Sequence, residues 1–215
     1  MYTLYGKTGS GSASIEAALT LARAPFRIVE TASWAQNDAF TDLLAVNPLG
    51  QVPTLVLDDG SALSESAAIL MHLGNAHPEA KLFPDDASQR AQVLRGLVFI
   101  AANCYSAISI IDFPERWCEN ADDDEAVQQR IRAGSRARLH RHWEMFADVF
   151  TARPWLSGAS LGALDLLAAV VSKWSGARQH LAQARPALHD ALLRIEAHPG
   201  VAEVFVRHWP KKAEP

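Results

Sequence analysis

Two rhythms of apolar and polar positions divide the chain. In its first third, short stretches of strand character are interleaved with helical periods; beyond residue 88 only the helical period remains. Met1 to Tyr5 is rich in aromatic and β-branched residues and closes on Gly6, which predicts a strand. Ile15, Ala18, Leu19 and Ala22 then recur at i, i+3, i+4 and i+7, one apolar face of a helix that Pro25 stops. Phe26 to Thr31 alternates as a second strand, and Asn47-Pro48-Leu49-Gly50 is a cluster of turn residues. Thr54 to Leu57 predicts a third strand, Asp58-Asp59-Gly60 a hairpin turn and Ala62-Leu63 the returning strand, with a helix from Ser66 to Leu73. The expected order is strand, helix, strand, irregular segment, strand, strand, helix.

The character changes at Ala76-His77-Pro78, and residues 77–87 read as a linker with proline near both ends. Four apolar stripes follow: Leu94, Leu97, Val98, Ala101 and Tyr105, ended by Pro114; Leu139, Trp143, Phe146 and Phe150; Leu166, Leu167, Val170, Val171 and Trp174; and Leu188, Ala191, Leu192 and Ile195. A mixed α/β unit followed by helices alone predicts two separately packed bodies, residues 1–76 and 88–215. No internal repeat or low-complexity tract interrupts them.

Composition narrows this picture. The chain has 215 residues, 49% hydrophobic and 20% charged, the balance of a globular protein with a sizeable core. A formal net charge of -4 gives no global reason to expect nucleic-acid or acidic-membrane partners. The start MYTLYGKTGSGS has neither a basic beginning nor an apolar run, so no signal peptide is expected. No apolar stretch reads as approaching the roughly 20 residues of a membrane span. Cys104 and Cys118 are too few for a disulfide framework or a four-thiolate zinc site, and a reducing cytoplasm suits them. Cys104 reads as a core residue, and His72, His77, His140 and His142 lack partner ligands at metal spacing, so no metal is expected.

Three short segments carry candidate chemistry. Gly9-Ser10-Gly11-Ser12 joins a strand to a helix, where backbone N–H groups attract anions and small residues admit a ligand. It lacks the third glycine of a dinucleotide fingerprint and the Lys-Ser/Thr of a P-loop, and taken alone such a turn usually just joins two elements. Gly50-Gln51-Val52-Pro53-Thr54-Leu55 puts a proline at a strand entrance. A cis Val52–Pro53 bond would turn the Val52 main chain outward to pair with an extended peptide; a trans proline would merely start the strand. Leu63-Ser64-Glu65-Ser66-Ala67 sets a carboxylate and a hydroxyl at a helix start, where Ser66 is a capping candidate. The pair also suits a ligand end carrying both ammonium and carboxylate.

Together these segments resemble the glutathione S-transferase superfamily, through Asn47-Pro48-Leu49-Gly50-Gln51-Val52-Pro53-Thr54-Leu55 and Ser64-Glu65-Ser66-Ala67-Ala68-Ile69 at the family's separation. The resemblance extends over nearly the whole chain. It implies an α+β/α two-domain fold: a thioredoxin-like domain with a four-stranded sheet, then an all-α domain. It implies glutathione as co-substrate, a small hydrophobic electrophile as second substrate, a cytoplasmic homodimer, and no nucleic-acid or membrane partner. By the same resemblance Val52 would pair its main chain with the cysteinyl part of glutathione. Glu65 and Ser66 would hold the γ-glutamyl end, Gln51 would assist and Pro53 would be cis. At Leu156-Ser157-Gly158-Ala159-Ser160-Leu161-Gly162-Ala163-Leu164-Asp165 the family's buried Asp is present, but Gly162 takes the Ser/Thr cap position. Asp165 could still bond back to the Gly162 N–H.

Glutathione reacts as thiolate, and a thiol of pKa about 8.5 is only a few per cent ionised at pH 7. Lowering that pKa by about two units needs roughly 2.7 kcal/mol. One hydrogen bond to the anion (about 1.5–3 kcal/mol) and a helix N-terminus (up to about 1) supply it. The family places this donor just after the first strand. Ser10 aligns first, Ser12 second and Tyr5 third, while the cysteine of the Cys-using bacterial class falls on Gly11. Trp117, Trp174 and Arg178 are possible borders of the second-substrate pocket, although aromatics at helical spacing are usually core. The resemblance implies a glutathione transferase. Glutathione-dependent peroxidase, isomerase or dehalogenase chemistry, or a non-catalytic binding protein on the same fold, are the alternatives.

Overall fold

A computed structural model describes residues 1–119 and 124–210. β1 (Tyr2–Gly6) leads through α1 (Ser12–Leu21) to β2 (Phe26–Glu30), which lies parallel to it with Tyr2 opposite Phe26 and Gly6 opposite Glu30. β3 (Thr54–Val56) returns antiparallel on the other edge of β1, and β4 (Ala62–Leu63) pairs antiparallel with β3. The four-stranded order is β2-β1-β3-β4, with α3 (Ser66–Ala76) after the last strand. This is the thioredoxin-like arrangement. Leu4 and Leu55 on the sheet and Ile15, Leu19, Ile69, Leu70 and Leu73 on the helices are fully buried and make its core.

In this first body one element was not expected. Residues 38–46 form a helix, α2 (Asp38–Val46), where the sequence predicts irregular chain. Its signals are a cap and a short apolar face: the Asn37 side chain accepts the Phe40 N–H at 3.0 Å, and Phe40, Leu43 and Leu44 recur at i, i+3 and i+4, although only Leu43 is buried.

Among the described residues the second body has helices as its regular elements, apart from a single isolated bridge between Trp155 and Gly158 in the irregular stretch 150–162. α4 (Ala87–Phe99), a π-helical turn (Ile100–Tyr105) and α5 (Ser106–Asp112) run on as one rod from residue 87 to residue 112. By length and composition this rod could cross a membrane, with a mean hydropathy of 1.6 in its most apolar 18-residue window, which corrects the expectation that no stretch comes close. Its apolar face is spent on packing instead: Leu97, Ile100, Cys104, Ile108 and Ile111 are buried against α6 (Glu125–Val149) and α7 (Ala163–Val171). Every residue of α7 is buried. The stripe read through Trp174 stops at Val171, because the chain turns there and leaves Trp174 outside the helix. α8 (Ala177–Ala184), α9 (Pro186–Glu196) and α10 (Ala202–His208) complete the packing.

The two bodies are joined closely. Within the segment 77–87, Leu82 and Phe83 are buried and the Leu82 carbonyl accepts the Ala163 N–H at 2.9 Å. That contact explains Gly162: a Cβ there would sit 2.5 Å from the Leu82 oxygen. Asp165 nonetheless accepts the Gly162 N–H at 3.1 Å. The bond that a hydroxyl at position 162 would have made is supplied from elsewhere, since Ser157 Oγ accepts the Leu164 N–H at 3.2 Å.

Candidate functional site

A cleft of about 500 Å³ lies between the sheet body and the α4–α5 rod. One wall consists of the three segments singled out in the sequence: Gly9, Ser10 and Gly11; Gln51, Val52 and Pro53; and Ser64, Glu65, Ser66 and Ala67. The other wall is helical, with Ala101, Tyr105, Ser106, Ile108, Ser109, Asp112 and Phe113 from the rod, Leu167 from α7, and Trp174 from the turn after it. Ser33 and Trp34 border it too.

Each site element has a local cause. The Val52–Pro53 bond is cis, and the pyrrolidine ring has no N–H to leave unpaired where β3 begins. Asn47 fixes this approach, its amide donating to Gln51 O at 3.2 Å and to Thr54 Oγ1 at 2.9 Å. Glu65 adopts φ +66°, a left-handed value that a non-glycine residue holds at a cost of about 1–3 kcal/mol. Glu65 thereby occupies the cap position of α3 without a side-chain capping bond, and buried Ser66 becomes the first helical residue instead of the cap. The carboxylate and the helix N-terminus thus both border the cleft.

The three thiol-activating candidates fare differently. Ser10 lines the cleft. Its Oγ accepts N–H groups from Lys7 at 3.3 Å and Ser12 at 3.2 Å, and lies 2.9 Å from Ser12 Oγ. Ser12 is buried beneath the turn, its Oγ donating to Lys7 O at 3.3 Å. Tyr5 is buried in the sheet and does not border the cleft.

The turn is held from a distance. Gly9 N–H donates to His208 Nδ1 at 3.0 Å, and the opposite ring nitrogen meets Glu16 Oε2 at 2.7 Å. Arg207 completes the set on Glu16 Oε1. Burial pushes the Glu16 carboxyl up, but the hydrogen bonds from His208 and Arg207 outweigh it and hold the group below the usual carboxylate range. A depressed folded value means stability present above the ordinary carboxylate pKa and lost as pH falls through the folded one. Glu16→Gln should therefore lower stability at pH 7 by about 1–3 kcal/mol, with the gap to wild type closing below about pH 4. Urea unfolding at pH 7 and pH 3.5 checks this; a gap of equal size at both would contradict it.

Among the described residues no lysine, arginine or histidine lines the cleft, whereas Glu65 and Asp112 do. Burial raises the Asp112 carboxyl above its ordinary value. Tyr105 and Asp112 were missed as site residues. Their signal was the polar interruption of an apolar rod at Ser106, Ser109 and Asp112, spaced one helical turn apart. Of the possible borders, Trp174 is one, while exposed Trp117 and Arg178, bonded to Glu196 and Ser172, are not among the lining residues. Cys104 is fully buried with its thiol pKa pushed up by burial, so it is no nucleophile. No group of three metal-ligating side chains occurs among the described residues.

Residues 12–76 match the family described as glutathione S-transferase, N-terminal domain. The GST-like protein YncG of Escherichia coli K12, itself uncharacterized, is 30% identical over 97% of this chain and 98% of its own. The glutathione S-transferase GstA of Escherichia coli O157:H7 is 28% identical over 70% of this chain and 77% of its own. A glutathione transferase homolog from Sulfitobacter, solved with bound glutathione, superposes with a TM-score of 0.82 at 24% identity, covering 95% of this chain and 96% of that one.

Proposed function

Since the chain belongs to the glutathione S-transferase superfamily, we propose that its cleft binds glutathione and that the protein is a transferase activating the thiol for attack on small hydrophobic electrophiles. The observation that carries this is the meeting of the Gly9–Gly11 turn, the Val52 main chain beside cis Pro53, and the Glu65-Ser66 pair on one cleft. Glu65 takes the γ-glutamyl ammonium, Ser66 and the α3 N-terminus take its carboxylate, and Val52, helped by Gln51, pairs with the cysteinyl backbone. The apolar surface of Ile108, Phe113, Leu167 and Trp174 receives the electrophile. In the reaction the thiol proton leaves to solvent, the sulfur forms the new carbon–sulfur bond, and the displaced group departs with its electron pair. On this reading the protein works as a cytoplasmic homodimer.

Ser10 lies beside the N-terminus of α1 and donates to the thiolate from there, with the helix dipole adding to it. Isothermal titration should detect glutathione binding, and the absorbance of bound thiolate should give a pKa below that of free glutathione. Ser10→Ala should raise that pKa by about one to two units, with affinity changed less than about threefold. Binding without ionisation would instead favour a carrier. No binding at all would refute the enzyme reading and leave only the fold.

A further inference from the structure

We propose that the Tyr105 hydroxyl is a second hydrogen-bond donor to the glutathione sulfur, reaching it from the helical wall; the inference rests on the glutathione reading of the cleft. Tyr105 is the last residue of the π-helical turn that interrupts the 87–112 rod, and such turns redirect side chains at functional sites. Here the redirection brings the hydroxyl across the cleft to Gly11. A Cβ added at Gly11 would lie 2.5 Å from Tyr105 Oη, 3.3 Å from Pro53 Cδ and 3.5 Å from Ser66 Oγ. The hydroxyl therefore stands where the starts of α1 and α3 and the cis proline converge, and only a glycine at position 11 leaves it room.

Two further facts separate this hydroxyl from Ser10. Ser10 Oγ accepts N–H groups from Lys7 and Ser12 and shares a hydrogen bond with Ser12 Oγ, so its one proton turns to the sulfur only by leaving Ser12. Tyr105 Oη has no hydrogen-bond partner among the described residues, although the ring is packed on Trp174 with centroids 5.6 Å apart. A phenol held in place with its donor unused is preorganised for an incoming anion. Burial, reinforced by the Glu65 and Asp112 carboxylates, pushes its pKa up to about 12, so it stays protonated and donates rather than acting as a base.

Tyr105→Phe keeps the ring and its packing on Trp174 while removing only the donor. The thiolate absorbance of bound glutathione, taken as a difference from glutathione-free protein across pH, should show the thiol pKa raised by about one unit, a tenfold loss of thiolate near neutrality. The dissociation constant should stay within about threefold of wild type, well short of the tenfold that 1.4 kcal/mol represents. With a neutral aryl halide, kcat/KM should fall about tenfold at pH 6.5 and recover at high pH, where glutathione ionises unaided. A merely structural role would lower it equally at every pH, and that result overturns the proposal. So does a bound-thiol pKa identical to wild type with binding intact, which leaves the glutathione reading standing. Absence of binding in the wild type removes both together.

Discussion

Asp165→Ala should destabilise the protein by about 3–5 kcal/mol, a large part of the 5–15 kcal/mol typical of a folded domain. The Asp165 side chain is fully buried and its two oxygens accept N–H groups from Leu156 at 2.7 Å, Ser157 at 2.9 Å and Gly162 at 3.1 Å. Burial pushes this carboxyl up, against the pull of the surrounding donors. Alanine would leave all three buried N–H groups without an acceptor and open a void at the start of α7, the most deeply buried helix. Asp165→Asn is no remedy, because its amide nitrogen turns a donor toward one of those N–H groups. Urea unfolding followed by circular dichroism measures the loss, and a change below about 1 kcal/mol would contradict the assignment.

Glu65→Ala should weaken glutathione binding about 100-fold, the equivalent of roughly 2.7 kcal/mol, because it removes a charge-assisted bond to the ligand ammonium. Glu65→Gln keeps an acceptor without charge and should lose about tenfold. Glu65→Gly separates binding from folding. At φ +66° a glycine relieves the local strain, so this variant should match or exceed wild-type stability by up to about 1 kcal/mol while binding as poorly as alanine. Calorimetric titration beside thermal unfolding tests both halves. Binding retained in Glu65→Gly would mean that the carboxylate is not the ammonium acceptor.

What the sequence displayed and what it hid follow from the range of the interactions involved. The Gly9–Ser12 turn, the Val52-Pro53 strand entrance and the Glu65-Ser66 helix start are written in consecutive residues, so they could be read directly and face one cleft. The whole helical wall depends on contacts between distant segments. Tyr105 belongs to an apolar stripe by spacing, and only the π turn swings it to the cleft. Trp174 belongs to the next stripe by spacing, and only the end of α7 at Val171 frees it. α2 was legible but not read: Asn37 caps it, and Phe40, Leu43 and Leu44 repeat at i, i+3 and i+4 over barely two turns. Ser157 standing in for a hydroxyl at position 162 follows from Leu82, a partner that no local pattern could name.

The clamp on the Gly9 turn has a consequence for the order of synthesis. Gly9 and Glu16 are made well ahead of the imidazole that joins them, which arrives 199 residues after Gly9. Domains generally fold as units, the earlier one first, during translation. A nascent chain could therefore complete its sheet and α1 while Glu16 is still without its partners and the turn beside Ser10 is still unheld. The sheet can be native long before the site is, and a ribosome-bound chain stopped short of α10 should present the fold without the finished binding turn.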